Sequence, residues 1–225
     1  MIKNRGENMK KNKIFYVSII SFIVAILYII LLKTVDVQSI GPKSSSVGLA
    51  SINNWFLQTI GTNDTCYKIT KYLGLLPFLL VAYYGFVGLK QLINKKDINK
   101  VDKKLLLLGI FYILVGATYI FFEKVIINYR PVLMDGELEA SFPSSHTMLA
   151  ICVCASSLLI SKYYIKNENI RKIIDILTWI VMIILVVGRA LSGVHWITDI
   201  IGGILVSAFL ISLFYSSINT VIKNK

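Results

Sequence analysis

Four stretches of the chain contain no charged residue: 14–32, 72–89, 105–122 and 200–222. Each is long enough to cross a hydrocarbon layer of roughly 30 Å at about 1.5 Å per residue. A water-soluble domain of 225 residues has no core large enough to hide all of them, and 56% of this chain is hydrophobic while only 16% is charged. Two weaker runs join the four. Residues 147–161 are uncharged and extend to Ile165 if Lys162 turns its ammonium toward the membrane surface, and 173–188 are apolar apart from Asp175. The pattern predicts an all-α integral membrane protein. Its six transmembrane helices would lie at about 14–32, 72–89, 105–122, 146–164, 173–188 and 198–219, in one membrane domain over 1–225.

The basic leader "MIKNRGENMKKNK" suits a signal peptide, but the apolar run behind it is longer than a cleaved signal's and leads into "KTVDVQ" rather than small residues. It reads as an anchor. With six spans, the segments 1–13, 90–104, 162–175 and 223–225 share one side and hold seventeen of the 24 Lys and Arg. Five of the 12 acidic residues accompany them, so one side carries a formal +12 and the other zero. The positive-inside rule then places both termini in the cytoplasm of a bacterial-type plasma membrane. The overall charge reports topology and contact with anionic lipid; it is scattered over loops and gives no nucleic-acid patch. Cys66, Cys152 and Cys154 form neither a disulfide framework nor a metal-ligand spacing.

The first outer connection, 33–71, begins with the turn-rich "GPKSSSVG" and continues as "LASINNWFLQTI". There Leu49, Ile52, Trp55, Phe56 and Ile60 recur at helical spacing. This predicts a short helix in the first outer loop, lying in the membrane interface or packed over the outer end of the bundle. The inner segment "KQLINKKDINKVDKK" reads as a solvated basic linker.

Ionisable residues at the edge of a span are costly and usually serve a site or a pair. Three groups of them fall on the outer side. "EKVIINYRP" places Lys124 and Arg130 after the third span, "FPSSH" places Ser144, Ser145 and His146 before the fourth, and "GRALSGVHWITD" places Arg189, His195 and Asp199 between the fifth and sixth. Singly, an Arg-Pro is a stop signal and a Ser-Ser-His is a helix cap. Together they put both histidines of the protein in one outer cluster. In a helix His195 and Asp199 would share a face, so that the carboxylate could accept the ring N–H and fix its tautomer. Guanidinium forks match phosphate oxygens, and hydroxyls and free N–H groups at a helix start point toward an anion. The chemistry indicated is phosphoryl transfer, with cationic side chains neutralising the equatorial oxygens.

"EKVIINYRP", "PSSH" and "GRALSGVHWITD", in this order and topology, resemble the three signature motifs of the type 2 phosphatidic acid phosphatases, the integral membrane lipid phosphatases related to vanadium haloperoxidases. The resemblance implies that His195 is a nucleophile forming a phosphohistidine, oriented by Asp199, and that His146 is the general acid for the leaving oxygen. It assigns Lys124, Arg130, Ser144, Ser145 and Arg189 to the phosphate, with no metal and no cofactor. Three positions depart from the family pattern. Lys124 stands one residue closer to Arg-Pro than the usual lysine, whose place Glu123 takes; Ser145 replaces a glycine; Gly188 replaces a serine.

The expected partner is a phosphorylated membrane lipid reaching the site laterally from the bilayer, with no nucleic acid involved. Undecaprenyl diphosphate, whose dephosphorylation recycles a cell-wall carrier, fits a small outward-facing member. Phosphatidic acid and phosphatidylglycerol phosphate are alternative substrates. An anion or lipid transporter and a non-catalytic lipid-binding protein are alternatives of another class, although no repeated halves with broken spans are evident.

Overall fold

A computed structural model describes residues 2–223. Met1, Asn224 and Lys225 lie outside the described residues, and with Lys225 part of the charge assigned to the inner side. Among the described residues eight α-helices follow in order: α1 (Ile2–Thr34), α2 (Ala50–Ile60), α3 (Asp64–Leu73), α4 (Leu76–Lys95), α5 (Lys103–Lys124), α6 (Ser145–Tyr164), α7 (Glu168–Leu191) and α8 (Ile197–Lys223). Among the described residues six stretches are long and apolar enough to cross a membrane: Phe15–Thr34, Asp64–Lys95, Lys103–Lys124, Ser145–Tyr164, Glu168–Leu191 and Ile197–Val221. The chain is thus an all-helical, multi-pass membrane protein.

α6 and α8 occupy the centre. α1 and α5 pack on α8, and α4 and α7 pack on α6. Outward faces stay apolar, as on α7, where Ile173, Ile176, Trp179, Ile180 and Ile183 are exposed. Hydrocarbon is the solvent there, so this costs nothing, whereas every backbone polar group must be satisfied within its own helix. Between α5 and α8 the Phe111 and Phe214 rings stack at 4.6 Å.

Glycine decides how closely the start of α6 approaches α8. A Cβ at Gly202 would lie 2.1 Å from the Phe142 ring, and one at Gly203 would lie 3.1 Å from the Ser144 carbonyl. The segment "FPSSH" is therefore seated directly on the first turns of α8, and Ser144 N–H donates to the Asp199 carbonyl at 3.0 Å.

The connection after the first span, 33–71, differs from its sequence reading in one respect: it contains two helices. α2 is the expected short helix. One side of it is anchored to the bundle, where Asn53 is fully buried, donates to Thr198 Oγ1 at 2.9 Å and accepts from Thr198 N–H at 3.3 Å. Its other side exposes Ile52 and Trp55. The second helix, α3, is capped by the Asn63 side chain, which accepts from Cys66 N–H, with Asp64 in the first turn. It continues through a break at Gly74 and Leu75 into α4, so the second span starts earlier than the apolar run.

Candidate active site

The ends of α3, α5 and α7 and the starts of α6 and α8 converge at one end of the bundle, and the ionisable residues meet there. His195 is 2% exposed. Its Nε2 faces Arg130 Nη1 at 2.9 Å and its Nδ1 faces Ser141 Oγ at 3.0 Å. A guanidinium only donates, so Nε2 must be the acceptor and Nδ1 carries the proton. Ser141 accepts that proton's hydrogen bond and donates its own to Asp199 Oδ2 at 2.5 Å. Asp199 is fully buried and also accepts from Trp196 N–H at 3.0 Å and Asn128 Nδ2 at 3.2 Å.

This chain corrects the expected direct His195 to Asp199 bond. His195 lies two residues before α8 begins, where the backbone is not helical, and Ser141 bridges ring to carboxylate. The tautomer is fixed as anticipated, through a hydroxyl placed by the segment preceding α6. Burial, then the charges of Arg130 and Arg189, holds the His195 imidazole well below its usual range, so the ring is neutral and its Nε2 lone pair is engaged only by Arg130.

Arg189, near the end of α7, is 1% exposed. Its Nη2 donates to His146 Nδ1 at 2.8 Å and its Nη1 to Thr70 Oγ1 at 3.4 Å, while the Tyr67 ring lies under the guanidinium with its centroid 5.1 Å from Cζ. The donation from Arg189 leaves neutral His146 with its proton on Nε2. Among the described residues Arg189 pairs with no carboxylate, and its Nε has no hydrogen-bond partner. Arg130 differs: its Nε pairs with Glu139 at 3.0 Å and its Nη1 also reaches the Val194 carbonyl at 3.3 Å.

The serines divide. Ser144 is fully buried as the residue before α6, and its hydroxyl accepts from Thr147 at 3.1 Å. Ser145 opens α6 and lines a small enclosed space with Ser141 and His195. Lys124 is the one expected residue that stays apart. It ends α5 exposed, without a hydrogen bond or ion pair among the described residues, while Glu123 lines the space beside Ser145 and His195. The shift by one position turns the lysine away because neighbouring helical residues point about 100° apart.

Sequence reasoning did not single out Ser141, Asn128, Glu139, Tyr67 or Thr70. Ser141 and Asn128 lie inside or beside the quoted motifs, and only their burial marks them. α3 had a usable signal in its Asn63 cap followed by Asp64. Thr70 also explains Gly188. A Cβ at position 188 would come within 2.6 Å of Thr70 Cγ2, so the threonine methyl fills the space of a side chain there and its hydroxyl meets Arg189 instead. Gly188→Ala is therefore expected to destabilise the protein by about 1–3 kcal/mol. Adding Thr70→Ser, which removes only the methyl, should restore most of the loss in thermal unfolding; additive losses would refute the coupling.

The PAP2 superfamily pattern matches residues 68–223. Phosphatidylglycerophosphatase B of Bacillus subtilis (strain 168) is 28% identical to the chain over 85 residues, 36% of this chain and 39% of that protein. The match thus spans about two fifths of the length of that curated relative. The crystal structure of the first transmembrane PAP2 type phosphatidylglycerolphosphate phosphatase from Bacillus subtilis superposes with a TM-score of 0.59 at 18% identity, covering 91% of this chain and 97% of that one. At that identity the likeness is one of fold.

Proposed function

Since the chain belongs to the PAP2 superfamily, we propose that it is a lipid phosphatase of the outer membrane face, working through a phosphohistidine without a metal. The observation that carries this reading is Arg189. A guanidinium 1% exposed, with no carboxylate counter-ion and an unsatisfied Nε, is stabilised fully only when an anion joins it. Two histidine nitrogens within reach of arginine donors favour a phosphoryl group as that anion, since a nucleophile and an acid then stand beside the guanidiniums that would hold it.

In the proposed reaction Arg130 and Arg189 grip the phosphoryl oxygens, with the Ser145 N–H and the Ser144 hydroxyl beside them. Once Arg130 turns to a phosphate oxygen, the His195 Nε2 lone pair attacks phosphorus. Asp199, through Ser141, stabilises the imidazolium that develops. His146 gives its Nε2 proton to the leaving oxygen, and water then cleaves the phosphohistidine as His146 recovers a proton. Lys124 has no part in this scheme.

The substrate favoured here is undecaprenyl diphosphate, which would give the protein a place in recycling a cell-wall lipid carrier. Phosphatidylglycerol phosphate is the second reading, favoured by the name of the Bacillus relative. The two are separated by measuring phosphate release from both lipids and from phosphatidic acid, with purified protein in detergent and EDTA present. No release from any of them, or release only after a divalent metal is restored, would overturn the proposal.

The charge asymmetry of the loops supports cytoplasmic termini and an outward-facing site. A cysteine replacing Asp135, in a Cys66→Ser background, should react with an impermeant thiol reagent in intact cells. Labelling confined to lysed cells would reverse the orientation.

A further inference from the structure

The helix that brings Tyr67 and Thr70 to Arg189 carries one more residue toward the site. Lys71 lies one turn beyond Tyr67, with its Nζ 5.9 Å from that ring's centroid. Lys68 on the same helix pairs with Asp64 at 2.6 Å, whereas Lys71 has no carboxylate partner among the described residues. It lines, together with His146, a cavity of about 90 Å³ enclosed by the end of α3, the start of α4 and α6. The remaining walls are apolar and include Leu75, Pro77, Phe78 and Leu149. Leu75 and Phe78 are 62% and 50% exposed within a membrane-spanning stretch, so the outer wall of the cavity is turned to lipid. A Cβ at Gly74 would lie 3.4 Å from His146 Cδ2, which seats the ring edge bearing Nε2 against this α3–α4 break, away from Arg189 at Nδ1.

In an in-line displacement the leaving oxygen lies opposite the attacking atom. With His195 attacking, that oxygen is on the His146 side, and the departing lipid extends from it into the space that Lys71 shares. A cation there serves only a leaving group that is itself negative. Diacylglycerol and a polyprenol leave as neutral alcohols. A lipid diphosphate leaves as the monophosphate, and phosphatidylglycerol phosphate leaves with its internal phosphodiester.

We infer that Lys71 is a specificity-determining residue that binds the phosphate retained by the departing lipid, in the cavity beside His146. The inference rests on the phosphatase reading given above. The His195 Nε2–P bond forms as the bond from phosphorus to the leaving oxygen breaks. That oxygen takes the proton from His146, and the second phosphate keeps its charge and pairs with Lys71. The cation thus favours these lipids over phosphatidic acid, whose only phosphate is the one removed.

The test compares kcat/KM of wild type, Lys71→Met and Lys71→Arg on four lipids: farnesyl diphosphate, phosphatidylglycerol phosphate, farnesyl monophosphate and phosphatidic acid. Lys71→Met should lower kcat/KM about tenfold or more on whichever of the first two is used, leave the last two within about twofold, and be largely rescued by Lys71→Arg. The lipid showing the loss identifies whether the retained phosphate is adjacent or one glycerol away. An equal fall on all four lipids, or no fall on any, overturns the inference while the phosphatase reading stands. A wild type that cleaves only the two lipids with neutral leaving groups does the same. A wild type inactive on all four overturns the phosphatase reading, and this inference with it. Unfolding temperatures within a degree or two of wild type keep a folding defect from imitating the result.

Discussion

Phosphate release is expected to fall by on the order of 10⁴-fold or more when His195 is replaced by glutamine, for every lipid the wild type uses. The expectation is specific to this replacement. Glutamine approximates the imidazole in length, and its amide can accept from Arg130 and donate to Ser141, so the surrounding bonds survive. What is lost is the nitrogen lone pair that becomes bonded to phosphorus. Unfolding in detergent should stay near that of the wild type, and no acid-labile phosphate should remain on the protein after a brief reaction. Activity above about one hundredth of wild type would remove His195 as the nucleophile. Because burial and two guanidiniums hold this imidazole well below its usual range, its lone pair persists as the medium is acidified. A loss of rate due to His195 protonation therefore belongs well below about pH 6.5.

Arg189→Met should separate function from stability. Activity is expected to drop about 10³-fold, since the donors facing the transferring oxygens disappear from a buried site. Stability should move the other way, by about 1–2 kcal/mol, because a buried cation without a counter-ion is replaced by an apolar chain that still fills the space over Tyr67. Inorganic phosphate should raise the unfolding temperature of the wild type and leave the variant unmoved. A variant that is less stable and still protected by phosphate would make Arg189 a structural residue rather than an anion ligand.

The spans and the side of the bundle holding the motifs were legible because hydrocarbon imposes a length and excludes charge, and both are visible in a string of letters. Arg130, His146, Arg189, His195 and Asp199 were legible because ionisable residues at span edges are scarce. The relay through Ser141 was not: the spacing of His195 and Asp199 suggests one helix face, and only the backbone shows the helix starting two residues after the histidine. α3 was obscured for the opposite reason. Its Lys68 and Lys71 made it resemble the loop before a span, while the hydrocarbon requirement applies only to the later part of a 32-residue helical stretch. Lys124 illustrates the limit of motif matching, since a shift of one residue on a helix keeps the composition and loses the direction.

Phe142 and Gly202 act together as a key and its slot. The aromatic ring occupies the groove that the missing side chain leaves in α8, with the ring of Phe122 closing over it at 5.6 Å. If α8 slid along its axis or turned, Ile201 or another bulky neighbour would be driven into that ring. Helices in a bilayer feel lateral pressure and changes of thickness along their whole length, yet the segment that carries His146 and the turn that carries Asp199 are pinned to each other here and by the Ser144 to Asp199 backbone bond. The distance between the two halves of the site is thereby tied to the packing of α6 on α8 rather than to the thickness of the bilayer around them.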